Sequence, residues 1–162
     1  MELFAWFENT AFSIWVRESP LVFPTLLIAH ALGMGALVGV NVFLGLRALG
    51  VVRSTSGATL DRFVPIMWIG FFACLVSGLV LLAAYPAKAL TNPVFFLKFV
   101  FIGLALAVSM RLRSRLAMPA QVPAAIPMRM TATGLLLLWV AAIAAGRFLA
   151  YTHGVLLASH LL

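Results

Sequence analysis

The chain has 162 residues, 64% of them hydrophobic and only 9% charged, with a net charge of +7 and a mean hydropathy of +1.14. A soluble domain is nearer half apolar and a quarter charged, so lipid is needed to cover the excess apolar surface. The positive charge does not point to nucleic acid, because the basic residues lie between apolar runs, as membrane topology signals do. The single cysteine, Cys74, excludes an internal disulfide and any CxxC or zinc framework. Walker, H-E-x-x-H and nucleophile-elbow motifs are absent, and four acids (Glu2, Glu8, Glu18 and Asp61) are too few for hydrolytic catalysis.

Residues 2–18 come first and place Leu3, Phe7 and Ile14, and Phe4, Ala11 and Trp15, at helical spacings, with Glu2, Glu8, Asn9, Ser13 and Arg17 as a partly polar side. The stretch is too polar to span. It is expected to be an amphipathic helix lying in the interface with Trp6 and Trp15 at headgroup level, or else a cap on a bundle. Its acidic start and the length of the following apolar run do not fit a cleavable signal peptide.

Four spans are expected, at about 21–46, 63–85, 94–110 and 132–158. Pro20 and Pro24 open the first, and Tyr85-Pro86 closes the second. Lys88 and Asn92-Pro93 lie in the connection to the third, which exits into RLRSR and a loop carrying Pro119, Pro123 and Pro127. The expected class is therefore an all-α, four-helix transmembrane bundle in one membrane domain, preceded by an amphipathic interfacial helix. Arg47, Arg53 and Arg62 lie in the first loop and Arg111, Arg113, Arg115 and Arg129 in the third, so these loops hold seven of the eleven basic residues. The positive-inside rule puts both loops in the cytoplasm and both termini outside, which is the periplasmic face of a bacterial inner membrane. Two small-residue stripes, Ala31-Gly35-Gly39 and Ala142-Gly146-Ala150, read as helix-packing faces that would also admit a flat cofactor.

Ionisable groups inside spans are expensive and each calls for an explanation. His30 lies ten residues past Pro20, about 15 Å along the first span, and His153 lies about 14 Å from the outer end of the fourth if that helix continues to Leu162. Two histidines at matched depth on different helices are the arrangement of a b-type haem site. The alternative is that each imidazole bonds a neighbouring helix. Three histidines (His30, His153 and His160) limit the chain to one bis-histidine haem, with His160 as a substitute for His153 if the last span ends early.

Arg147 sits within the fourth span with no acid at its depth, so it must bond carbonyls, snorkel or meet an anion such as a haem propionate, a lipid head or a quinone. Lys98 lies near the outer end of the third span and is expected to snorkel, or to pair with Glu18 or a propionate. Tyr151 and Trp139 flank Arg147 and are candidates to line a pocket. Met34 follows His30 at i+4, and with Cys74 at comparable depth these residues supply the ligand types of Cu(I).

The stretch RESPLVFPTLLIAHALGMGALVGVNVFLGLRALGV resembles the opening of a bacterial four-helix membrane family known as a domain of unknown function. The likeness rests on Glu18-Ser19, Pro24, His30 and Arg47-Ala48-Leu49-Gly50, then Gly78, Asn92 to Lys98, and Leu138 to Tyr151, and covers nearly the whole chain. The resemblance implies the fold but brings no activity. A fainter likeness to the copper-resistance D type of membrane domain keeps a copper reading open.

The leading expectation is a membrane b-type cytochrome with one haem held by His30 and His153, its propionates neutralised by Arg147 and Lys98, near Tyr151. Its partners would be the lipid bilayer and a quinone or periplasmic redox protein. Two alternatives stand beside it. One is an accessory subunit without cofactor, in a homo-oligomer or a larger membrane complex. The other is a copper-handling or small transport protein.

Overall fold

The structure, a computed structural model, describes residues 2–52, 57–117 and 127–151. It is all-α. Two short helices, α1 (Glu2–Glu8) and α2 (Ala11–Glu18), precede α3 (Val22–Leu49) and α4 (Gly57–Ala84); a five-residue helix, α5 (Pro86–Leu90), leads to α6 (Pro93–Ala117), and α7 (Met128–Tyr151) follows. Helices α3, α4, α6 and α7 are each long and apolar enough to cross a membrane, which makes this a multi-pass membrane protein built on a four-helix bundle.

The spans differ from expectation mainly at their arginine-rich ends. Helix α3 runs on to Leu49, where Gly50 adopts φ 84° and its N–H bonds the Arg47 and Leu46 carbonyls, a left-handed cap that only glycine enters without strain. Helix α6 continues through RLRSR to Ala117 rather than ending before it. No proline or glycine interrupts that run, and arginine is a good helix former that complements the C-terminal dipole. Helix α4 begins at Gly57, ahead of the expected start at residue 63.

Helix α3 is the centre of the bundle. It packs on α4 along one flank and on α7 along the other; α7 also packs on α6, whereas α4 and α6 barely meet. The core comprises Leu37 and Leu44 of α3, Met67 of α4, Leu112 of α6, and Leu135 and Trp139 of α7. The α3–α4 seam is backbone against backbone. A Cβ on Gly70 would lie 2.7 Å from the Gly33 carbonyl oxygen and 2.8 Å from the Leu37 nitrogen, and one on Gly33 would lie 2.9 Å from the Gly70 oxygen. In lipid, helices gain from such close approach because burying apolar side chains against each other brings little. The expected α3 stripe is a different set of residues: Ala31, Gly35 and Gly39 are exposed, and a Cβ on Gly35 or Gly39 would touch nothing. The spacing of small residues was right for a seam, but Gly33, two residues out of that phase, is the one that makes it. The α7 stripe does turn inward, with Ala142 buried and Gly146 half-buried; the side chain of Ala150 lies outside the described residues.

The N-terminal stretch is two helices rather than one. Thr10 breaks it, capping α2 by accepting from the Ser13 N–H and donating to the Phe7 carbonyl at 2.7 Å. Glu8, Ser13 and Arg17 of its polar side face the protein, while Glu2 and Asn9 are exposed. Ser13 Oγ donates to the Ala83 carbonyl at 2.9 Å, and Arg17 Nη1 reaches the Ala84 carbonyl at 3.4 Å while its guanidinium lies over the Tyr85 ring. These are among the last carbonyls of α4, which its own helix leaves unsatisfied. Glu8, only 1% exposed, accepts from the Ala87 N–H at the start of α5. The hairpin thus bridges the break between α4 and α5, with a cation at one helix's C-terminus and an acid at the next one's N-terminus. Leu3, Trp6, Phe12 and Trp15 are left exposed on the opposite side.

Candidate functional site

Polar groups of the spans meet between α3 and α4, and a lysine lies between α6 and α7. His30 enters from α3, half-buried, with its Nδ1 3.0 Å from Ser77 Oγ on α4. Ser77 is buried, and its hydroxyl donates to the Ala73 carbonyl at 2.5 Å. A hydroxyl has one proton. The contact to Ala73 is the shorter of the two, which assigns the Ser77 proton there, makes Ser77 Oγ the acceptor from His30 and puts the imidazole hydrogen on Nδ1. The lone pair is then on Nε2. Gly78 gives the ring its place, since a Cβ there would sit 3.2 Å from His30 Cε1. Cys74, one turn earlier on α4, donates its thiol hydrogen to the His30 backbone carbonyl at 3.3 Å.

Lys98 approaches from α6. Its stem packs toward Gly146 of α7, where a Cβ would lie 3.6 Å from Lys98 Cδ. Its ammonium lies 5.5 Å from the Phe95 ring centroid and 5.2 Å from that of Phe99, a double cation–π contact. Glu18 is not its partner; that carboxylate lies 3.9 Å from Arg17. His30, Ser77 and Cys74 thus form one hydrogen-bonded polar locus in otherwise apolar surroundings. Ser77 was not among the residues singled out from the sequence. Its i+3 spacing from Cys74 put it on the same face of α4, which was the signal available.

The remaining candidates fall elsewhere. Arg147 is exposed on α7 and makes no hydrogen bond or ion pair among the described residues. It adjoins Gly146 in sequence, and one residue turns it about 100° away from the face that meets Lys98. Trp139 is buried in the core. Tyr151 ends α7, but its side chain, His153 and His160 lie outside the described residues. The backbone register does bear on them. Gly45 of α3 meets Leu136 of α7, and following the two antiparallel helices outward from that contact brings His30 level with the α7 terminus at Tyr151. Met34 is half-buried on α3, and no group of three His, Cys, Asp or Glu residues suited to a metal occurs among the described residues.

The chain matches no protein-family model, no curated protein and no solved structure. Its function is therefore read from its own geometry.

Proposed function

We propose that this protein is a single-haem, b-type electron-transfer protein of a bacterial inner membrane, in which His30 would help to hold the haem through Nε2. The observation that carries this reading is the pair of contacts at Ser77 Oγ, 2.5 Å to the Ala73 carbonyl and 3.0 Å to His30 Nδ1, which assigns Nδ1 as the donor and Nε2 as the free ligand atom of His30. A histidine ligand characteristically donates its other ring nitrogen's hydrogen to a fixed acceptor, which holds the tautomer and orients the ring. The α3–α7 register supports His153 as the second ligand, since His30 is level with the last described turn of α7. A haem supplies one-electron chemistry at a potential tuned by its axial ligands and surroundings. Lys98, its ammonium over Phe95 and Phe99 and without an acid partner among the described residues, is suited to a propionate. Arg147 would reach one only if the group extends to the outer side of α7.

The arginine-rich end is proposed to face the cytoplasm and the His30 end the periplasm, supported by the loop arginines. The exposed aromatic side of α1 and α2 would then lie at the outer headgroup level. Electrons would pass between a quinol or periplasmic donor and an acceptor on that side. The resemblance to an uncharacterised four-helix membrane family remains part of this proposal.

Reduced-minus-oxidised visible spectra of the purified protein, expressed with haem supplementation, test the reading. A Soret band present in the native protein and lost in His30→Ala is expected. Native protein without a Soret band overturns it. A second reading, an accessory subunit of a larger complex, is favoured by the exposed Ala31-Gly35-Gly39 stripe and by exposed Arg147. It predicts a fixed partner in mild detergent and no chromophore.

A further inference from the structure

The far end of the bundle contains a cavity of about 120 Å³ in the gap that α4 and α6 leave between them, floored by α3. Val40, Leu44, Val64 and Met67 give it apolar walls, and two polar groups, Ser109 and Arg113, line its α6 side. Ser109 is only 4% exposed, yet its hydroxyl has no hydrogen-bond partner among the described residues. A serine in a helix usually satisfies itself on the carbonyl four residues back. Here it is left open beside the cavity.

Arg113, one turn closer to the surface, donates to Asp61 Oδ1 at 2.8 Å and is half-exposed. That contact engages one of its two terminal nitrogens, and the guanidinium has five N–H donors in all. Arg62 and Arg111 are exposed on the same end of the bundle. One acid, Asp61, therefore faces a surplus of arginines.

We infer that this cavity binds an anionic glycerophospholipid, with the first few methylenes of one acyl chain between α4 and α6 and the rest of the chain in the bilayer, its phosphate on Arg113 and an ester carbonyl on Ser109. Four residues of helix separate the two polar groups by ~6 Å along the axis, the span from phosphate to ester carbonyl in such a lipid. The walls accept hydrocarbon. The charge selects an anionic head. The site is remote from His30 and does not rest on the cofactor reading.

The test is native mass spectrometry of the full chain released from nanodiscs of equal phosphatidylglycerol and phosphatidylcholine. One retained phosphatidylglycerol per chain is expected, favoured about tenfold over phosphatidylcholine. Arg113→Gln should lower retention about fivefold. Asp61→Asn should raise it about twofold, because it frees the guanidinium for the lipid. Val40→Phe should abolish retention by filling the slot, and Ser109→Leu serves the same purpose if Val40→Phe does not fold. Equal retention of the two lipids, an isoprenoid quinone in place of phospholipid, or no retained lipid overturns the inference. So does a fall with both Arg113→Gln and Asp61→Asn, which is what a merely structural ion pair would give.

Discussion

Helix α4 has two unlike flanks. Toward α3 it presents Gly70 and a seam in which backbones touch, and toward α6 it leaves a gap with a cavity at its arginine-rich end. On the closed flank, glycine removes side chains so that dispersion and weak hydrogen bonds act between backbones. On the open flank, Val64, Met67 and Trp68 line the cavity. The contrast separates two tasks that one helix performs. The closed side fixes where Ser77 and Gly78 stand, and therefore where the His30 ring points. The open side gives lipid a way in without disturbing that geometry.

The strongest way to break this comparison is to crowd the seam. Gly70→Ala would put a methyl carbon within 3 Å of backbone atoms of Gly33 and Leu37, which no rotamer change relieves. A loss of about 3 kcal/mol is expected, the upper end for overpacking, read as a lowered melting temperature and poor recovery of monodisperse protein in detergent. Gly35→Ala on the exposed stripe meets nothing and serves as the control, with a change near zero. Equal effects of the two variants would mean that the seam is not where α3 and α4 meet.

Next in size is the N-terminal cap. Arg17→Ala removes donors to the Ala84 and Glu8 carbonyls and a cation over Tyr85. About 1–2 kcal/mol is expected, the range for charge-assisted bonds at a partly buried helix C-terminus. Limited proteolysis should show α1 and α2 cleaved faster while α3 to α7 stay protected. Uniform destabilisation would mean that the hairpin folds with the bundle rather than upon it.

The bundle was largely legible in the sequence because lipid imposes one strong rule. A span must satisfy its own backbone and be apolar, and composition alone marks such stretches. Helix ends were less legible: α6 carries its arginines well past the apolar run, since arginine both favours helix and suits a C-terminus. Rotation was least legible. The Ala31-Gly35-Gly39 spacing looked like a seam, but Gly33 makes it, and hydropathy cannot distinguish a lipid face from a helix face when both are apolar. His30 was found by its cost in the membrane, whereas Ser77, which fixes its tautomer, is cheap and common and gave no such signal.

Ser77→Ala sharpens the link between the closed seam and the site. It leaves Nδ1–H without its acceptor and keeps the glycine contacts intact, so about 1 kcal/mol of stability is expected to go, the net worth of a neutral hydrogen bond. The larger consequence is local. Freed from Ser77, the imidazole gains access to the other tautomer, and a ligand at Nε2 loses its fixed orientation. Under the haem reading, Ser77→Ala should lower haem occupancy about tenfold, the lower end for removing such a supporting bond, while Ser77→Thr, which keeps the hydroxyl, retains most of it.

The smallest expected effect lies midway along the seam between α3 and α7. Asn41 bonds the Leu37 carbonyl through its Nδ2 at 2.7 Å, but its Oδ1 is buried without a donor. Trp139 Nε1 is buried without an acceptor. One turn out from the Gly45–Leu136 contact, antiparallel register makes these residues neighbours in depth. An acceptor and a donor left open at the same level are complementary, and one bridging water would satisfy both. Single variants Asn41→Leu and Trp139→Phe each strand or remove one side of that pair, and the double variant removes both. If a bridge forms, the cycle should show a coupling of about 0.5–1 kcal/mol. Additive effects would mean that the two groups remain separately unsatisfied. In that case Asn41→Leu alone should stabilise the bundle, because an unpaired buried amide costs more than an apolar side chain of similar volume.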